Sequence, residues 1–142
     1  MELKKVYFVS GIDTDAGKSY ATGAISAMWP GRGCSVITQK FIQTRRGDLI
    51  EEVSEDIAMH RRIMGTGLLP EDIDHVTCPL RFGYPASPDL AARLDNRSID
   101  LSLIGQGTDR LLETYDTVLI EGAGGLMVPV FEDYTTLDYV QE

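Results

Sequence analysis

The sequence predicts an α/β fold in which an open parallel sheet carries helices on both faces. Three observations lead to this prediction. A short apolar run near the N-terminus ends in a glycine loop and a helix start at Gly17-Lys18-Ser19. A strand, a helix and a second strand follow one another within the first 40 residues, as in a parallel βαβ unit. Later, the aliphatic run at residues 117–120 leads into Glu121 and a glycine-rich segment.

The first strand and the loop after it have the pattern of a phosphate-binding loop. The strand is predicted over residues 6–9, which are compact and β-prone. Free N–H groups at a helix start converge on an anion, and the helix dipole favours the same charge. Gly17 lets the backbone approach phosphates, Lys18 can reach the β and γ phosphates, and Ser19 can offer its hydroxyl to Mg²⁺. Five residues rather than four separate Gly11 from Gly17, so the loop is one residue longer than the standard pattern.

The next elements complete a right-handed crossover unit. A helix is predicted over residues 20–28, which are rich in helix formers, and residues 29–33 are a stop signal with one proline and two glycines. Residues 35–38 read as a second strand that ends at Lys40. A strand, a helix and a strand in this order form a parallel pair.

The middle of the chain is predicted to hold one helix and one long loop. Apolar residues recur at loose helical spacing among many acids over residues 48–64, and the glycines of residues 65–67 end this helix. Residues 68–87 lack periodicity and contain three prolines, so they are expected to be loop with one short extended piece near Val76. A long irregular segment in a compact domain is usually functional.

The last part of the chain returns to regular structure. Helices are predicted over residues 88–94 and 100–113, and residues 117–120 form a buried strand. Residues 135–138 are a good helix opening with a capping-box acid, and the sequence ends soon afterwards, at Glu142.

Length and charge limit the class of protein. The sequence has 142 residues, which predicts one domain over residues 1–142. Its 13 basic and 22 acidic residues give a net charge of −9, which disfavours a nucleic-acid partner. The arginine pairs at residues 45–46 and 61–62 are expected to be solvated surface, or local anion contacts at most. No apolar stretch approaches the ~20 residues of a membrane span and no signal sequence is visible, so we expect no membrane partner and a cytoplasmic location.

The two cysteines give no sign of a zinc site or a disulfide framework. Cys34 and Cys78 are isolated, without a CxxC pair. We expect them to be small buried hydrophobic residues.

Three further positions are candidates for chemistry beside the loop. Ligands of open parallel sheets sit outside the carboxyl ends of the strands, where Glu121 is expected and could bind Mg²⁺. Lys40 ends the second strand on the same edge, so its ammonium could face the γ-phosphate from the side opposite Lys18. Asp56 lies on the acidic helix, where its neighbours Glu51, Glu52 and Glu55 are equally placed by spacing alone.

Several motifs in order along the chain resemble the dethiobiotin synthetase family. The most specific are the extended GxDTxxGK[ST] loop and the EGAGG segment. The matching residues are Gly11-Ile12-Asp13-Thr14-Asp15-Ala16-Gly17-Lys18-Ser19, Lys40 with Thr44, Ser54-Glu55-Asp56-Ile57-Ala58, Pro85-Ala86-Ser87-Pro88 with Leu90-Ala91-Ala92, and Val118-Leu119-Ile120-Glu121-Gly122-Ala123-Gly124-Gly125.

The resemblance implies a P-loop NTPase-like fold and an ATP-dependent cyclo-ligase of biotin biosynthesis, with ATP and Mg²⁺ as cofactors. In that family, diaminopelargonic acid takes up CO₂ as a carbamate, the carbamate attacks the γ-phosphate, and the second amine closes a ureido ring. The partners implied are these small molecules and a second subunit in a homodimer. Phosphoryl transfer asks mainly for positioning and charge neutralisation, which suits two lysines and a metal ion.

The resemblance also implies a role for each matching residue. Lys40 and Lys18 are the implied catalytic lysines, and Thr14 and Thr44 are the implied substrate contacts. The implied metal ligands are Ser19, Asp56 and Glu121. The implied nucleotide contacts are Asp15, Ala16, Gly17, Lys18, Ser19, Tyr20, Asp56, Glu121, Gly122, Ala123 and Gly124.

The chain departs from the family pattern in three places. Phe41 stands where many members have proline, and Asp89 stands where many have histidine. Family members also continue beyond the helix that opens at Thr136, so the domain is expected to be C-terminally incomplete, with about three strands in its sheet.

Three alternatives to the dethiobiotin synthetase prediction are open. The phosphate loop is also similar to that of amide-forming synthetases of the cobyrinic-acid type. A nucleotide-switch ATPase would carry an extra lysine just after the first loop glycine, where this chain has Ile12-Asp13. The third alternative is a nucleotide-binding fragment without turnover.

Overall fold

The computed structural model describes residues 3–13, 16–29, 33–45 and 52–142. The elements in chain order are β1 (Lys5–Gly11), α1 (Lys18–Met28), β2 (Val36–Lys40), β3 (Gln43–Thr44), α2 (Glu55–Met64), α3 (Pro70–Ile73), β4 (Arg81–Phe82), α4 (Pro88–Leu94), α5 (Ser102–Thr114), β5 (Thr117–Gly125), β6 (Pro129–Phe131), β7 (Tyr134–Thr135) and α6 (Thr136–Gln141).

Within the described ranges, the main sheet has three parallel strands in the order β1-β5-β2. Lys5 and Val36 both pair with Thr117, so β1 and β2 start level with β5 on either side of it. Crossovers through helices connect parallel strands of this kind. The predicted α/β class with an open parallel sheet is confirmed.

Helices cover both faces of this sheet. Successive side chains of a strand point to opposite faces. Thr38 and Glu121 contact His60 of α2 on one face, and the side chain of Gln39 donates to the carbonyl oxygen of Ile104 in α5 on the other. The aromatic ring of Phe8 in β1 also meets Tyr139 of α6 there. The α1/α2 face therefore carries polar groups of the sheet, and the α5/α6 face carries most of its core.

The apolar core lies between the sheet and α5, and it continues beneath the segment that links β2 to α4. Its central members are completely or almost completely buried. They are Ile37, Phe41, Ile42, Val76, Leu80, Phe82, Ala91, Ala92, Ile104, Leu111, Val118, Ile120, Ala123 and Val130. Cys78 is buried as expected, and Cys34 is half-buried. Burial raises the pKa of the Cys78 thiol to about 12, which keeps it in the unreactive protonated form at neutral pH.

The two edges of the sheet differ in exposure. All residues of β2 are buried, whereas Val6 and Tyr7 of β1 are 45% and 44% exposed. None of the helices in the described part of the chain has the length and apolar character needed to cross a bilayer.

Three expectations about the elements need correction. The acidic helix begins at Glu55 rather than at residue 48, because the Ser54 side chain accepts a hydrogen bond from the N–H of Ile57 and caps it there. Residues 52–54 precede that helix, and residues 48–51 lie outside the described residues. The extended piece expected near Val76 is instead at Arg81–Phe82, and residues 74–77 form a turn.

The third correction concerns β5, which does not end before Glu121. The strand continues to Gly125, since β1 pairs with it as far as Gly11↔Gly125. The glycines that the sequence placed after the strand therefore lie within it. The expected helix opening at residues 135–138 is present as α6, with Thr135 and Asp138 in a capping box. The expected stop signal falls partly on residues 30–32, which are outside the described residues.

Candidate nucleotide and metal site

The loop between β1 and α1 is shaped to leave backbone donors free. Gly17 precedes α1 in a left-handed conformation with φ of 89°, which glycine adopts without strain. Among the described residues no side chain caps α1 at this end, so its first N–H groups remain available to an anion. Lys18 is buried, and its Nζ donates to the carbonyl oxygen of Asp13 at 2.8 Å. Thr14 and Asp15, predicted for substrate and nucleotide contact, lie outside the described residues.

The register of the sheet brings Lys40 and Glu121 side by side. They are paired positions of β2 and β5, and each is at most 5% exposed. Lys40 Nζ lies 2.5 Å from Asp56 Oδ2 and 3.8 Å from Glu121 Oε1, and it donates to the carbonyl oxygen of Gly122 at 3.0 Å. One ammonium group thus contacts both carboxylates that were predicted to bind metal.

Among the described acids at the start of α2, Asp56 is the one that contacts Lys40. Burial disfavours its charged form, but the Lys40 ammonium and hydrogen bonds from Lys40 and Ser19 hold the pKa of Asp56 below its ordinary value. Glu55 instead faces outward and pairs with Arg45 at 2.8 Å, and Glu52 lies 4.0 Å from Arg45. Glu51 is outside the described residues.

Ser19, Asp56 and Glu121 meet at one place and form an all-oxygen donor set. The hydroxyl of Ser19 donates to Glu121 Oε1 at 2.6 Å. Within the described ranges there is no group of three or more His, Cys, Asp or Glu side chains placed to hold a metal ion. Mg²⁺ does not require such a group, since it binds through one or two carboxylates, keeps several waters and completes its shell with substrate phosphates. A hydroxyl and two carboxylates therefore fit that ion.

A cavity of about 410 Å³ joins the loop to these side chains. It contains most of the predicted site. Its predicted members are Gly17, Lys18, Ser19, Tyr20, Lys40, Thr44, Asp56, Glu121, Ala123 and Gly124. Ile42, Gln43 and Met59 also line it and were not predicted.

Two predicted nucleotide contacts lie beside this cavity rather than in its wall. Ala16 is exposed, and its Cβ lies 3.0 Å from the position that a Cβ on Gly11 would occupy. Gly122 is buried against Phe8 on the other face of the sheet, and only its carbonyl oxygen reaches Lys40.

A second cavity of about 350 Å³ adjoins the first one. The two share Thr44, Ala123 and Gly124. The second is lined further by residues 85–88, the Pro-Ala-Ser-Pro segment singled out in the sequence. A molecule in it would therefore be adjacent to whatever occupies the first cavity.

Two further buried side chains, which lie behind the cavity rather than in its wall, were not predicted either. His60 is fully buried between Thr38 and Glu121, with ring nitrogen contacts of 2.8 Å to each. The expectation of a solvated Arg61 is wrong, because Arg61 is 1% exposed and forms two hydrogen bonds of 2.8 and 2.9 Å with Asp72. Helical spacing could have indicated that both side chains are buried, since His60 and Arg61 lie three and four residues after the buried Ile57.

Comparison with known proteins agrees with this geometry. The family model described as AAA domain matches residues 5–142. ATP-dependent dethiobiotin synthetase BioD 2 of Haemophilus influenzae is 51% identical over 139 residues, which are 98% of this chain and 71% of the relative. The protein of the same name from Pasteurella multocida is 50% identical over 139 residues, covering 97% of this chain and 63% of the relative. ATP-dependent dethiobiotin synthetase BioD of Chlorobaculum tepidum is 46% identical over 138 residues, covering 97% and 56%.

The chain thus spans between 56% and 71% of the length of these relatives. The expectation that family members continue beyond the matched region is confirmed. The matched region covers nearly all of this chain, and the loop and the positions of Lys40, Asp56 and Glu121, which the fold brings together, lie inside it. The chain belongs to the ATP-dependent dethiobiotin synthetase family.

Proposed function

We propose that the protein is an ATP-dependent ligase that forms dethiobiotin from diaminopelargonic acid and CO₂. The observation that carries the proposal is the position of Lys40. Its ammonium lies between Asp56 and Glu121 in the cavity that begins at the phosphate-binding loop. In that position a cation faces the place where phosphoryl groups would be held, which is what phosphoryl transfer requires.

The nucleotide would lie along the loop and α1. Its phosphates would accept from the free N–H groups at the start of α1 and from Lys18. Mg²⁺, held by Ser19, Asp56 and Glu121, would neutralise charge on the β and γ phosphates. Asp56 is suited to this role because its lowered pKa keeps the carboxyl ionised at neutral pH.

The chemistry would proceed in three balanced steps. An amine of diaminopelargonic acid adds to CO₂, forms a C–N bond and loses a proton, which gives a carbamate. A carbamate oxygen attacks the γ-phosphorus, and the bond to the ADP oxygen breaks. The second amine then attacks the carbamoyl carbon and loses a proton, so that phosphate leaves with the carbamate oxygen and the ureido ring closes. Lys40 would stabilise the charge that develops on the transferring phosphoryl group.

The substrate would occupy the second cavity. This cavity meets the first one at Thr44, whose hydroxyl is a suitable donor to the carbamate. Its wall at residues 85–88 and Val128 is mostly apolar, which suits the aliphatic chain of diaminopelargonic acid. Thr14 is proposed as a second contact. We also propose a homodimer and a cytoplasmic location, and molar mass from light scattering tests the first of these.

A mass-spectrometric assay tests the function. Purified protein is incubated with diaminopelargonic acid, bicarbonate, ATP and Mg²⁺, and dethiobiotin and ADP are measured together. We expect both products in equal amounts and neither product when the amine is left out. ADP release that is independent of the amine would instead indicate a switch ATPase. Amide formation in a parallel reaction, with glutamine and cobyrinic acid in place of the amine, would indicate the cobyrinic-acid type. ATP binding without either product would indicate a nucleotide-binding fragment.

A further inference from the structure

Glu121 is held from behind by a buried histidine. His60 Nε2 lies 2.8 Å from Glu121 Oε2, and the two side chains are 0% and 1% exposed. The other carboxylate oxygen, Oε1, is the one that faces Ser19 at 2.6 Å and Lys40 at 3.8 Å. The two oxygens of the Glu121 carboxylate therefore have different partners. Oε2 contacts His60 of α2, and Oε1 faces Ser19 and Lys40 in the cavity.

A hydrogen-bond chain of buried side chains holds His60 in place. His60 Nδ1 lies 2.8 Å from the hydroxyl oxygen of Thr38, which also accepts from Arg61 Nη1 at 2.8 Å. Asp72 holds the Arg61 guanidinium through two hydrogen bonds of 2.8 and 2.9 Å. Asp72 also accepts from the Thr77 hydroxyl and from the Leu69 N–H, each at 2.8 Å. The chain is thus anchored in the segment that follows α2.

Donor and acceptor groups at the two ends of this hydrogen-bond chain indicate which atoms donate. A guanidinium can only donate, so the Thr38 oxygen accepts from Arg61. A carboxylate can only accept, so His60 Nε2 carries a proton and donates it to Glu121 Oε2. The hydroxyl proton of Thr38 is then available to His60 Nδ1 at the other end of the ring.

We propose that His60 is a positioning residue that holds Oε2 of Glu121 through its Nε2–H and thereby presents Oε1 to the metal ion. The role in metal binding rests on the proposed function, whereas the proton at Nε2 follows from the contact with the Glu121 carboxylate. Groups that orient a metal-binding side chain in this way typically change metal affinity by about 10- to 100-fold when they are removed.

The tautomer can be observed directly by ¹⁵N NMR of the histidine rings. The sequence contains two histidines, and the spectrum of a His75→Asn variant assigns them. His75 has a positive φ of 59°, which asparagine tolerates. We expect His60 to carry a proton at Nε2. A ring with its single proton at Nδ1 would overturn the proposal without any assay of activity.

The consequence for the metal is measured by calorimetric binding of ADP over a range of Mg²⁺ concentrations. His60→Leu should raise the Mg²⁺ concentration needed for half-maximal binding by about 10- to 100-fold. ADP affinity without Mg²⁺ should stay the same, since His60 does not line the nucleotide cavity. His60→Gln places an amide N–H near the position of Nε2 and should restore most of the Mg²⁺ response.

Thr38 provides a second, smaller test of the same chain. Thr38→Val removes the hydroxyl that holds the His60 ring at Nδ1 and should raise the Mg²⁺ requirement, whereas Thr38→Ser keeps the hydroxyl and should not. This pair decides the question if His60→Leu fails to fold by circular dichroism. Folded variants with an unchanged Mg²⁺ requirement, or a His60→Gln variant as impaired as His60→Leu, would contradict the positioning role. A shifted requirement in a protein that makes no dethiobiotin would remove the proposed function and keep the role of His60.

Discussion

Lys40 is the residue on which most of the proposed chemistry depends. It is 5% exposed, and its ammonium is surrounded by Asp56, Glu121 and the carbonyl oxygen of Gly122. A buried ammonium needs such partners, because a charge without them is costly in the protein interior. The same contacts limit the motion of the side chain, so the charge is oriented before a nucleotide arrives.

Replacement of Lys40 should affect turnover more than binding. In Lys40→Met the stem keeps its length and the charge is lost, so we expect kcat to fall by about 10²- to 10³-fold, as for other lost transition-state contacts. The Kd for ATP should change little, because the loop and Lys18 make the ground-state phosphate contacts. Single-turnover kinetics and calorimetry measure the two quantities.

Lys18→Met is the matched comparison for this prediction. It removes an ammonium from the loop and should weaken ATP binding itself. Normal turnover by Lys40→Met would remove Lys40 from the mechanism, and unchanged ATP binding by Lys18→Met would contradict the phosphate-binding role of the loop.

At the scale of elements, the site depends on two glycines, each of which lets a neighbouring segment pack closely against it. Gly23 of α1 packs against α2, and a Cβ there would lie 3.3 Å from the Cα of His60. Gly125 at the end of β5 lies beneath the phosphate-binding loop, and a Cβ there would lie 2.9 Å from the carbonyl oxygen of Ile12. The first approach brings His60 to Glu121, and the second supports the loop.

Gly125→Ala should therefore displace the phosphate-binding loop. Backbone atoms cannot rotate away as a side chain can, so we expect a loss of roughly 1–3 kcal/mol in the free energy of unfolding, as for other overpacked sites. ATP affinity should fall as well, since the loop must shift. Urea denaturation and calorimetry check the two effects.

Gly105→Ala is the control for that substitution. Gly105 lies in α5 with open space around its Cβ position, so alanine should stabilise the helix by about 0.5–1 kcal/mol. It should leave ATP affinity unchanged. Equal ATP affinity of the wild type and Gly125→Ala would show that the loop does not depend on β5.

The link between α2 and α3 depends on the buried pair of Arg61 and Asp72. Arg61→Met would leave Asp72 buried without its partner charge, and we expect a loss of about 3–5 kcal/mol in the free energy of unfolding. Arg62→Met changes the adjacent residue, which is exposed, and should stay within about 0.5 kcal/mol of the wild type. Urea denaturation with linear extrapolation measures both, and equal stability of the two variants would contradict the account.

At the scale of the whole molecule, the alternation of side chains along the strands separates chemistry from core. Thr38, Lys40 and Glu121 face the α1/α2 side, and Ile37, Val118 and Ile120 belong to the core with α5. A period of two residues therefore places a polar site and an apolar core on opposite faces of the same three strands.

This alternation also explains what could be predicted from the sequence. The loop, β1, β2 and α1 could be predicted because local sequence patterns indicate each of them. The parallel register of β2 and β5 then brings Lys40 to Glu121. The extension of β5 to Gly125 was missed because glycine is disfavoured in strands, and pairing with β1 overrides that preference.

The hydrogen-bond chain behind Glu121 could not be predicted in the same way. It joins residues from β2, α2, α3 and β5, so it exists only once α2 lies on the sheet and α3 lies beside α2. Asp72 in particular comes from a segment without periodicity, which the sequence indicated only as loop.

The most direct test of the proposed reaction traces the oxygen atoms of CO₂ into the phosphate that is released. The purified protein, in unlabelled water, is given freshly dissolved C¹⁸O₂ with diaminopelargonic acid, ATP and Mg²⁺, and the reaction is stopped before CO₂ exchanges its oxygen atoms with water. The products are analysed by mass spectrometry. Because the carbamate oxygen attacks phosphorus and leaves with it, we predict one ¹⁸O atom in each phosphate released and one phosphate for each dethiobiotin formed. Phosphate without the label, or released in the absence of dethiobiotin, would contradict the proposed reaction.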